Sequence, residues 1–491
     1  MAQTAILIGT PALCRRLNRQ LAELPDPPVI LGWVLCGKHG TQDETVSGQP
    51  AEAGVLGTIA DLEAICARRE PASALLSLPA VMKDQITAIR TRLRRLGVAD
   101  RFMPTLEDQI AGVGPRTHLD IDLSHLLRRT PKQMDPDEVA PAIRGKRVLI
   151  TGAGGSIGSE LSRIVARFEP AEVLLMERSE NALFEIDRQL AQLVPQQPRR
   201  AILHDVVEAE ATRGWFERLK PDIVFHAAAH KHVPMMEDHP AAAVDNNVFG
   251  TRSVVDASHA TGVDRFVMIS SDKAVNPVSI MGVTKRLAEL YVQHLSQHSR
   301  TGFSTVRFGN VLASSGSVLE TWSRQIAAGG PLTVTDPRMT RYFMTIPEAA
   351  SLVIQSMALL DRTLEAGEVF LLDMGDPLKI VDLARQFALR HGLEPRLPGT
   401  EGEAPPGSIE IVYTGVRPGE KLHEELAFDA ECMRPTRHPD INIWSLSPPD
   451  CRYVVKMIRD LSPGHRPDDP AELARAVREA LPESTRPVAA A

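Results

Sequence analysis

Three adjacent polar side chains could do acid–base chemistry in the segment SSDKAVNPVSIMGVTK. A hydroxyl, a carboxylic acid and an amine stand side by side at Ser271, Asp272 and Lys273, and a second amine follows at Lys285. The apolar residues 266–269 directly before this segment predict a buried strand. In a doubly wound sheet, ligands bind outside the carboxyl ends of the strands, which is where the acid and the amine would lie. This position favours proton transfer on a bound ligand over a surface ion pair.

A glycine-rich turn stands in the context of a dinucleotide site. The residues TGAGGSIG, with a GxxGxxG pattern, follow a predicted strand at 146–150 and precede a predicted helix at 159–167. Such a turn lets the amides at a helix N-terminus approach a pyrophosphate. Small residues after a later predicted strand, 223–225, leave room beside a cofactor. The predicted cofactor contacts in these two stretches are Gly152, Gly155, Ser156, Ile157, Gly158, Ala227 and Ala228.

Acidic side chains at the ends of two further strands indicate which dinucleotide binds. Glu177 follows the predicted strand 173–176 and lies about 25 residues beyond the first glycine, where a carboxylate can accept hydrogen bonds from the ribose hydroxyls of adenosine. This position favours NAD, although Arg178 could pair with the 2′-phosphate of NADP. Asp205 ends the third strand, where an acid can meet the adenine amino group. The predicted contacts in this part of the site are Glu177, Arg178, Ser179, Asp205 and Val206.

Four histidines near residue 230 raise the question of a metal site. His226 and His230 are spaced i, i+4, but they straddle the end of a predicted strand and do not share a helix face. No carboxylate pattern completes a site with His232 or His239. We therefore predict that no metal is bound.

The composition fits a globular enzyme and excludes several other classes of protein. The 491 residues carry a formal net charge of −7 with a pI near 6.1, which argues against a nucleic-acid-binding surface. The five cysteines form no CxxC pair, as expected in a reducing compartment. No apolar run approaches the ~20 residues that a membrane span needs, and no signal peptide is visible. We predict a cytoplasmic protein without an integral membrane segment.

Alternating strand-like and helix-like segments predict an α/β protein with two Rossmann-like, doubly wound parallel-sheet domains. Within the first domain, the predicted strands are 5–8, 29–35, 74–78 and 101–104. Its first turn, IGTPALCRRL, lacks the second and third glycines of a dinucleotide site, so we expect a role in structure, oligomerisation or regulation. The predicted boundaries are 1–117 for this domain, 118–145 for a linker, 146–430 for the second domain and 431–491 for a partly helical C-terminal extension.

Seven motifs, taken in order, resemble those of the bacterial polysaccharide-biosynthesis nucleotide-sugar 4,6-dehydratases. They are TGAGGSIGSEL, HAAAHKHVPMMEDHP, NNVFGT, SSDKAVNPVSIMGVTK, RFGNVLASSGSV, LTVTDPRMTRYFMT and RPGEKLHEEL. The resemblance covers residues 120–430 closely and extends less firmly to the N-terminal domain. It implies an extended short-chain dehydrogenase fold with a small C-terminal substrate-binding part, in which Lys285 grips the nicotinamide ribose.

Met281 stands where short-chain dehydrogenases carry a tyrosine, four residues before the lysine. Short, soluble members of the resembled family carry tyrosine there and invert C5 of the sugar, whereas long, usually membrane-anchored members carry methionine and retain C5. By this residue and by its domain order, the chain resembles the long, retaining branch, but without its transmembrane helices. Because a thioether cannot transfer a proton, we expect Met281 only to pack against the sugar or the nicotinamide.

The resemblance implies a hydro-lyase that converts UDP-N-acetylglucosamine to a 4-keto-6-deoxy sugar for surface polysaccharide or glycan biosynthesis. A hydride passes from sugar C4 to NAD⁺, water is eliminated across C5 and C6, and the hydride returns to C6. We expect Asp272 to protonate the departing hydroxyl and Lys273, as a neutral amine, to remove the C5 proton. In place of tyrosine, Ser271 would take the C4 hydroxyl proton, relayed through Asp272 or a water.

The resemblance also implies a set of polar residues that bind the UDP-sugar. Guanidinium forks suit a diphosphate, and a carboxylate suits a ribose diol. Enzymes of this class are commonly dimers or larger, so we expect a homo-oligomer. The implied contacts are Asn310, Arg341 and Arg417 for the diphosphate, Glu420 for the uridine ribose, and Lys231 and Asn247 at the border of the sugar or nicotinamide.

Three other functions stay open at this point. A C5-inverting dehydratase would share every site and differ only in the configuration of its product. A nucleotide-sugar 4-epimerase would share the cofactor and diphosphate sites, but it would not need Asp272 beside Lys273, and it would ordinarily need a tyrosine in place of Met281. A non-catalytic NAD-binding sensor or scaffold would bind the cofactor without turnover.

Overall fold

The computed structural model describes residues 4–22, 27–36, 54–79, 82–103, 132–360, 368–391, 393–402, 404–405, 407–428, 433–444 and 449–482. The chain divides into two units. The first comprises Met1–Asp122, Leu319–Val334 and Val381–Tyr413, and the second comprises Leu123–Val318, Thr335–Ile380 and Thr414–Ala491. The first half of the predicted linker, 118–131, lies outside the described residues. The predicted domain boundaries stay a prediction.

A parallel five-stranded sheet opens the first unit. Its strands are β1 (Thr4–Gly9), β2 (Val29–Leu35), β3 (Val55–Thr58), β4 (Ser73–Ser77) and β5 (Ala99–Phe102), with helices α1 (Pro11–Ala22), α2 (Leu62–Arg69) and α3 (Lys83–Arg95) and a 3₁₀ turn at Ile59–Asp61. They are ordered β3-β2-β1-β4-β5. Four of these strands were predicted from the sequence and β3 was not, because its run, Val55–Thr58, is only four residues long and Gly57 adds no apolar side chain.

The second unit is built on a nine-stranded sheet. The strands after β5 are β6 (Arg147–Thr151), β7 (Glu172–Glu177), β8 (Arg199–Leu203), β9 (Ile223–His226), β10 (Arg265–Ile269), β11 (Gly302–Arg307), β12 (Asn310–Val311), β13 (Leu332–Val334), β14 (Thr340–Arg341), β15 (Phe343–Met344), β16 (Val369–Leu372), β17 (Leu378–Lys379), β18 (Glu394–Arg396), β19 (Ser408–Tyr413), β20 (Met433–Pro435) and β21 (Ile441–Trp444). The sheet order is β20-β21-β16-β11-β10-β9-β6-β7-β8. Strand order reverses between β6 and β9, as in doubly wound folds. The predicted fold class is confirmed.

Small sheets complete each unit. In the first unit, β13, β19 and β18 form a three-stranded sheet. In the second, β12 pairs with β15 and β14 pairs with β17. These short strands hold the segments that carry the predicted substrate residues Asn310 and Arg341.

Helices cover both faces of the large sheet. The helices that follow α3 along the chain, of which α12 and α14 belong to the first unit, are α4 (Pro136–Ile143), α5 (Ser156–Val165), α6 (Glu180–Leu193), α7 (Ala209–Leu219), α8 (Val233–Asp238), α9 (Pro240–Ala243), α10 (Thr251–Thr261), α11 (Ile280–Ser296), α12 (Val318–Ala327), α13 (Ile346–Leu359), α14 (Ile380–Arg390), α15 (Cys451–Leu461) and α16 (Pro470–Glu479), with a π-helical turn at Val244–Gly250 and 3₁₀ turns at Ala166–Phe168 and Asp272–Ala274. Because successive side chains of a strand point to opposite faces, Val148 and Ile150 pack with α4, α5, α6 and α13, whereas Leu149 packs with α7, α10 and α11. The sheet is therefore buried on both faces.

The C-terminal residues contribute more structure than the sequence indicated. The sequence predicted a partly helical extension over 431–491, and two helices, α15 and α16, form there. Both helices pack on α11, where Met457 and Val477 join the apolar cluster of Leu287 and Leu290. Strand β21 pairs antiparallel with β16, so this part of the chain extends the large sheet. Among the described residues, no helix combines the length and apolarity needed to cross a membrane.

Candidate active site

The glycine turn between β6 and α5 leaves no space for side chains. Gly152 has a φ of 65°, and a Cβ on it would lie 2.7 Å from the amide nitrogen of Ala228. A Cβ on Gly158 would overlap the carbonyl oxygen of Gly152. Helix α5 begins directly after Gly155, which has no side chain to bond the first amides of the helix. The turn and the helix amides together fit a dinucleotide pyrophosphate.

Glu177 at the end of β7 ties the glycine turn to the adjacent strand. One carboxylate oxygen accepts from the amide of Gly154 at 3.1 Å, and the other accepts from the amides of Arg178 and Ser179 at 2.9 and 3.1 Å. Arg178 Nη1 lies 3.8 Å from Asp205 Oδ2. These acidic and basic groups fit an adenosine with either a free or a phosphorylated 2′ position. The pocket at the ends of β7 and β8 is lined by Arg178, Ser179, Leu203, His204, Asp205 and Glu208.

The remaining predicted cofactor residues surround the same turn. Ser156 and Ile157 are the first two residues of α5. Ala227 follows β9, and its amide donates to the carbonyl of the last residue of β6 at 3.1 Å. Val206 follows β8 and is buried in the core beneath α7 and α10. The fold therefore brings the predicted cofactor residues of four strands to the carboxyl ends of those strands.

His226 is neutral and has a structural role. Its ring lies between Thr151 and Thr251, with nitrogen–oxygen distances of 2.7 and 3.0 Å, and is 1% exposed. Burial, reinforced by the charge of Lys285, lowers its pKa to about 3, so it carries no charge at neutral pH. Within the described ranges, no group of three or more His, Cys, Asp or Glu side chains is placed to hold a metal ion.

The segment after β10 brings Ser271, Asp272 and Lys273 into one hydrogen-bonded group, the acid–base group. Asp272 Oδ1 accepts from Ser271 Oγ at 2.8 Å and from Lys273 Nζ at 2.9 Å. Asp272 is fully buried, and its Oδ2 has no hydrogen-bond partner in the described part of the chain. A Cβ on Gly309 would lie 3.2 Å from Oδ2, so the glycine leaves room for the carboxylate. The hydrogen bonds to the Asp272 carboxylate therefore come from Ser271 and Lys273.

Lys273 connects the acid to a predicted substrate residue. Its Nζ donates to Asn310 Oδ1 at 3.2 Å. Its side chain keeps 20% of its surface exposed, whereas the side chain of Asp272 keeps none. Of the two ionisable side chains in the acid–base group, Lys273 is therefore the one that a ligand can reach.

Lys285 and Met281 lie one turn apart on α11. Lys285 Nζ donates to the carbonyl oxygen of Ile269, the last residue of β10, at 2.8 Å. Burial lowers the pKa of Lys285 to about 8, against the opposing charge of Glu289. Met281 is 3% exposed and lies in the apolar cluster beneath α15 and α16. Methionine thus occupies the tyrosine position as a packed apolar side chain.

The predicted diphosphate and ribose residues fall into two arrangements. Arg417 is largely exposed, and its Nη2 donates to Glu420 Oε1 at 2.6 Å, so these two residues stand together. Arg341 is buried, and both terminal nitrogens of its guanidinium donate within the protein. Its predicted contact with the diphosphate stays a prediction. The guanidinium of Arg341 donates to the backbone carbonyls of Thr340, Lys421 and Leu422.

Lys231 and Asn247 each hydrogen-bond to a distant part of the second unit. Lys231 Nζ donates to the carbonyl of Ser315 at 2.7 Å. Asn247, fully buried in the π-helical turn, accepts from the amide of His230 at 2.8 Å and donates to Thr284 Oγ1 at 3.1 Å. Such π-helical turns are frequent at functional sites. The predicted contacts of both residues with the sugar or nicotinamide stay predictions.

Comparison with known proteins places this site in a family. A sequence profile described as "Polysaccharide biosynthesis protein" matches residues 148–445, the stretch that carries the glycine turn and the acid–base group. The chain belongs to this family. Its match to the Bacillus subtilis protein named "Probable polysaccharide biosynthesis protein EpsC" is 40% identical over 391 residues, 79% of this chain. The match spans 62% of the length of that relative.

Two further relatives of this polysaccharide biosynthesis family member are informative. A Campylobacter jejuni protein named "UDP-N-acetylglucosamine 4,6-dehydratase (inverting)" is 32% identical over 285 residues, covering 57% of this chain and 77% of that protein. The X-ray structure of Pen from Bacillus thuringiensis is 32% identical, covers 62% of this chain and 87% of that chain, and superposes with a TM-score of 0.54.

The sequence of this family member did not indicate a buried ionic cluster around Glu289, which contacts Ser270, the residue directly before the acid–base group. Glu289 on α11 accepts from Ser270 Oγ and from Arg307 Nε, each at 2.7 Å, and from Arg286 Nη1 at 2.9 Å. Burial would raise the pKa of Glu289, but the charges of Arg307 and Arg286 hold it below its usual value. The cluster joins β10, β11 and α11, so it fixes the residue directly before Ser271.

Glu424 is a second residue near the acid–base group that was not predicted from the sequence. Its Oε1 lies 3.9 Å from Lys273 Nζ, and its side chain is 4% exposed. Burial raises the pKa of Glu424, and the charge of Lys273 opposes that rise. The motif RPGEKLHEEL contains this residue, but only the fold distinguishes it from Glu425, which is exposed.

Proposed function

We propose that this chain dehydrates UDP-N-acetylglucosamine to the UDP-2-acetamido-2,6-dideoxy-4-keto sugar, with NAD as cofactor, for surface polysaccharide or glycan biosynthesis. The observation that carries the proposal is the hydrogen-bonded group of Ser271, Asp272 and Lys273 beyond β10. It supplies an acid and a base at the end of the sheet that also carries the glycine turn. The Campylobacter relative, whose name states this reaction with inversion, supports the reaction type. Met281 is our reason for proposing retention at C5.

The cofactor residues have separate tasks in this proposal. The glycine turn and α5 would hold the pyrophosphate, and Glu177 would hold the adenosine ribose. When held there, NAD would supply the hydride chemistry between C4 and C6 of the sugar. Lys285, anchored on the carbonyl of Ile269, would hold the nicotinamide ribose. Because Arg178 could serve a 2′-phosphate, the ratio of the Kd values for NAD and NADP, measured by calorimetry, tests the proposed preference for NAD.

Three side chains would move the protons. Ser271 would take the proton of the C4 hydroxyl and pass its own proton to Asp272 Oδ1, 2.8 Å away. Lys273, as a neutral amine, would remove the C5 proton. Asp272 would then return its proton, through Ser271 or Lys273, to the C6 hydroxyl, which departs as water. The balance closes, because the water carries the former C4 hydroxyl proton and Lys273 returns a proton to C5.

Proton NMR of the sugar in deuterated water tests this proposal. Incubation with UDP-N-acetylglucosamine should yield a 4-keto-6-deoxy sugar with deuterium at C5 and retained configuration. Asp272→Asn and Lys273→Ala should each lower product formation about 10²- to 10⁴-fold, because each removes one of the three proton-transfer groups. Glu425→Gln, an exposed change near the site, should not.

Each other product assigns a different function. An inverted C5 would refute retention and leave the dehydratase in place. A C4 epimer that keeps its C6 hydroxyl would replace the dehydratase with a 4-epimerase. An unchanged sugar with NAD bound would contradict turnover of this substrate and favour a binding protein.

A further inference from the structure

Glu424 is a buried carboxylate beside the acid–base group, and one of its two oxygens accepts no hydrogen bond from the described residues. Its Oε1 lies 3.9 Å from Lys273 Nζ and 3.8 Å from Arg341 Nε. Its Oε2 has no hydrogen-bond partner among the described residues. A buried polar atom without a partner costs stability, so a functional reason for it is expected. The described structure therefore places a second carboxylate next to Lys273.

Arg341 is held by other hydrogen bonds and does not donate one to the Glu424 carboxylate. Its guanidinium already donates to three backbone carbonyls, and its Nε stays beyond hydrogen-bond distance of Glu424. Lys273, by contrast, has an ammonium group with three donors, of which Asp272 and Asn310 accept two. The third proton of Lys273 is therefore available to Glu424.

We propose that Glu424 is a positioning residue that stores the ammonium proton of Lys273, so that Lys273 meets the sugar as a neutral amine. The inference rests on the proposed dehydratase function, in which Lys273 removes the C5 proton. Asp272 is unsuited to the same task, because its Oδ1 already serves Ser271.

The proton steps balance. An N–H bond of Lys273 breaks as an O–H bond forms on Glu424. The free electron pair of Nζ then takes the C5 proton, and the C–H electron pair moves into the enolate of the 4-ketone. After water has left, Nζ returns a proton to C5 and Glu424 returns its proton to Lys273. The 3.9 Å separation has to shorten by about 1 Å, as catalytic hydrogen bonds commonly do when a ligand binds.

The charges around Glu424 suit a shared proton. Burial raises its pKa, the positive charges of Lys273, Arg341 and Lys421 oppose the rise, and the negative charge of Asp272 adds to it. The net rise brings the proton affinity of the carboxyl group closer to that of an amine. Two groups that share one proton titrate as a pair, and between their two apparent pKa values the shared proton count stays constant.

The pH dependence of Lys273 acylation tests the inference without a substrate. The full-length protein is treated with acetic anhydride at several pH values, and acetylation at residue 273 is measured by peptide mass spectrometry. Wild type should show a plateau across neutral pH, because sharing with Glu424 sets the neutral fraction of the amine. Glu424→Gln should instead show a rate that rises about tenfold per pH unit, as for an isolated amine. Glu424→Asp should restore a plateau, and Glu425→Gln should match wild type.

A plateau in Glu424→Gln as flat as that of wild type would overturn the inference. If this variant does not fold, the wild-type profile decides, because a tenfold rise per pH unit in wild type is equally contradictory.

Turnover gives a second, independent readout. At pH 7, Glu424→Gln should lower kcat about 10- to 100-fold with little change in KM, and the loss should shrink as pH rises. An equal loss at every pH would indicate a purely structural role and overturn the inference. If wild type does not turn over UDP-N-acetylglucosamine, the proposed function fails, and the acylation profile still decides the role of Glu424.

Discussion

The five-stranded sheet, ordered β3-β2-β1-β4-β5, has the same strand order as the segment β8-β7-β6-β9-β10 of the nine-stranded sheet. Among the described residues, however, an acid–base group follows these strand ends in the nine-stranded sheet alone. In the first sheet, Cys14 and Cys36 are buried after β1 and β2, and burial raises their pKa to about 12 and about 11. In the second sheet, the matching places hold the glycine turn and Glu177, and Asp272 follows β10. The same strand order is therefore compatible with buried cysteines or with a candidate active site at the strand ends, and a few residues at those ends make the difference.

Both first turns need a glycine for packing, but the glycines serve different neighbours. A Cβ on Gly9 would overlap the carbonyl oxygen of Ser77 on β4. A Cβ on Gly158 would overlap the carbonyl oxygen of Gly152 within the turn itself. Gly9 therefore allows β1 to lie close to β4, whereas Gly158 allows the turn before α5 to fold tightly on itself.

The largest effect should come from the acid of the second sheet. We expect Asp272→Asn to lower kcat about 10²- to 10⁴-fold, because the amide can no longer hold the proton relayed by Ser271. NMR of the product measures the loss. Thr10→Ala, in the first turn of the first sheet, should leave kcat unchanged. A loss below about threefold in Asp272→Asn would contradict the proposed proton path.

A smaller effect should separate the two glycines. Gly158→Ala should weaken NAD binding about 10- to 100-fold, since overpacking costs about 1–3 kcal/mol at the cradle. Gly9→Ala should strain the first sheet by a similar amount and leave the Kd for NAD unchanged. Calorimetric titration with NAD compares them. Equal weakening by both changes would show that the first turn also supports the cofactor site.

The pH dependence of stability should have opposite signs in the two sheets. Lys285 loses its proton near pH 8 when folded and near 10.5 when unfolded, so its contribution to the free energy of unfolding rises with pH across this window. Cys14 has a raised pKa, so its contribution is present below pH 9 and is lost as the pH rises towards 12. Urea unfolding of Lys285→Met and Cys14→Ala, each against wild type, isolates the two contributions. A rise that persists in Lys285→Met would assign it to another group.

The smallest effect should come from the thiols at neutral pH. A neutral buried cysteine behaves as a small apolar side chain. Cys14→Ala should therefore lower the free energy of unfolding at pH 7 by about 1 kcal/mol and leave NAD affinity unchanged. Urea unfolding and calorimetry measure the two quantities. A change in NAD affinity would contradict a purely structural role for this side of the first sheet.

Local sequence predicted much of the second sheet and its cofactor turn. A run such as Val148-Leu149-Ile150 is apolar because both faces of its strand are buried. Gly158 is required by its distance to the carbonyl oxygen of Gly152 in the same turn, although Gly152 itself is crowded by the remote Ala228. Ser271, Asp272 and Lys273 are adjacent in the chain, so their grouping could also be predicted. In the first sheet, β3 escaped prediction because the run around Gly57 is short and partly exposed.

The sequence by itself determined the elements and residue groups whose partners lie nearby in the chain: buried apolar strands such as β6, the glycine turn and the acid–base group. Tertiary structure alone decided which distant charges surround that group. It buried Glu424 beside Lys273 and left Glu425 exposed, and it placed Arg307 on Glu289. It also engaged Arg341 with backbone carbonyls. The physical reason is that burial and the distance between charges depend on how remote segments pack, which adjacent residues do not specify.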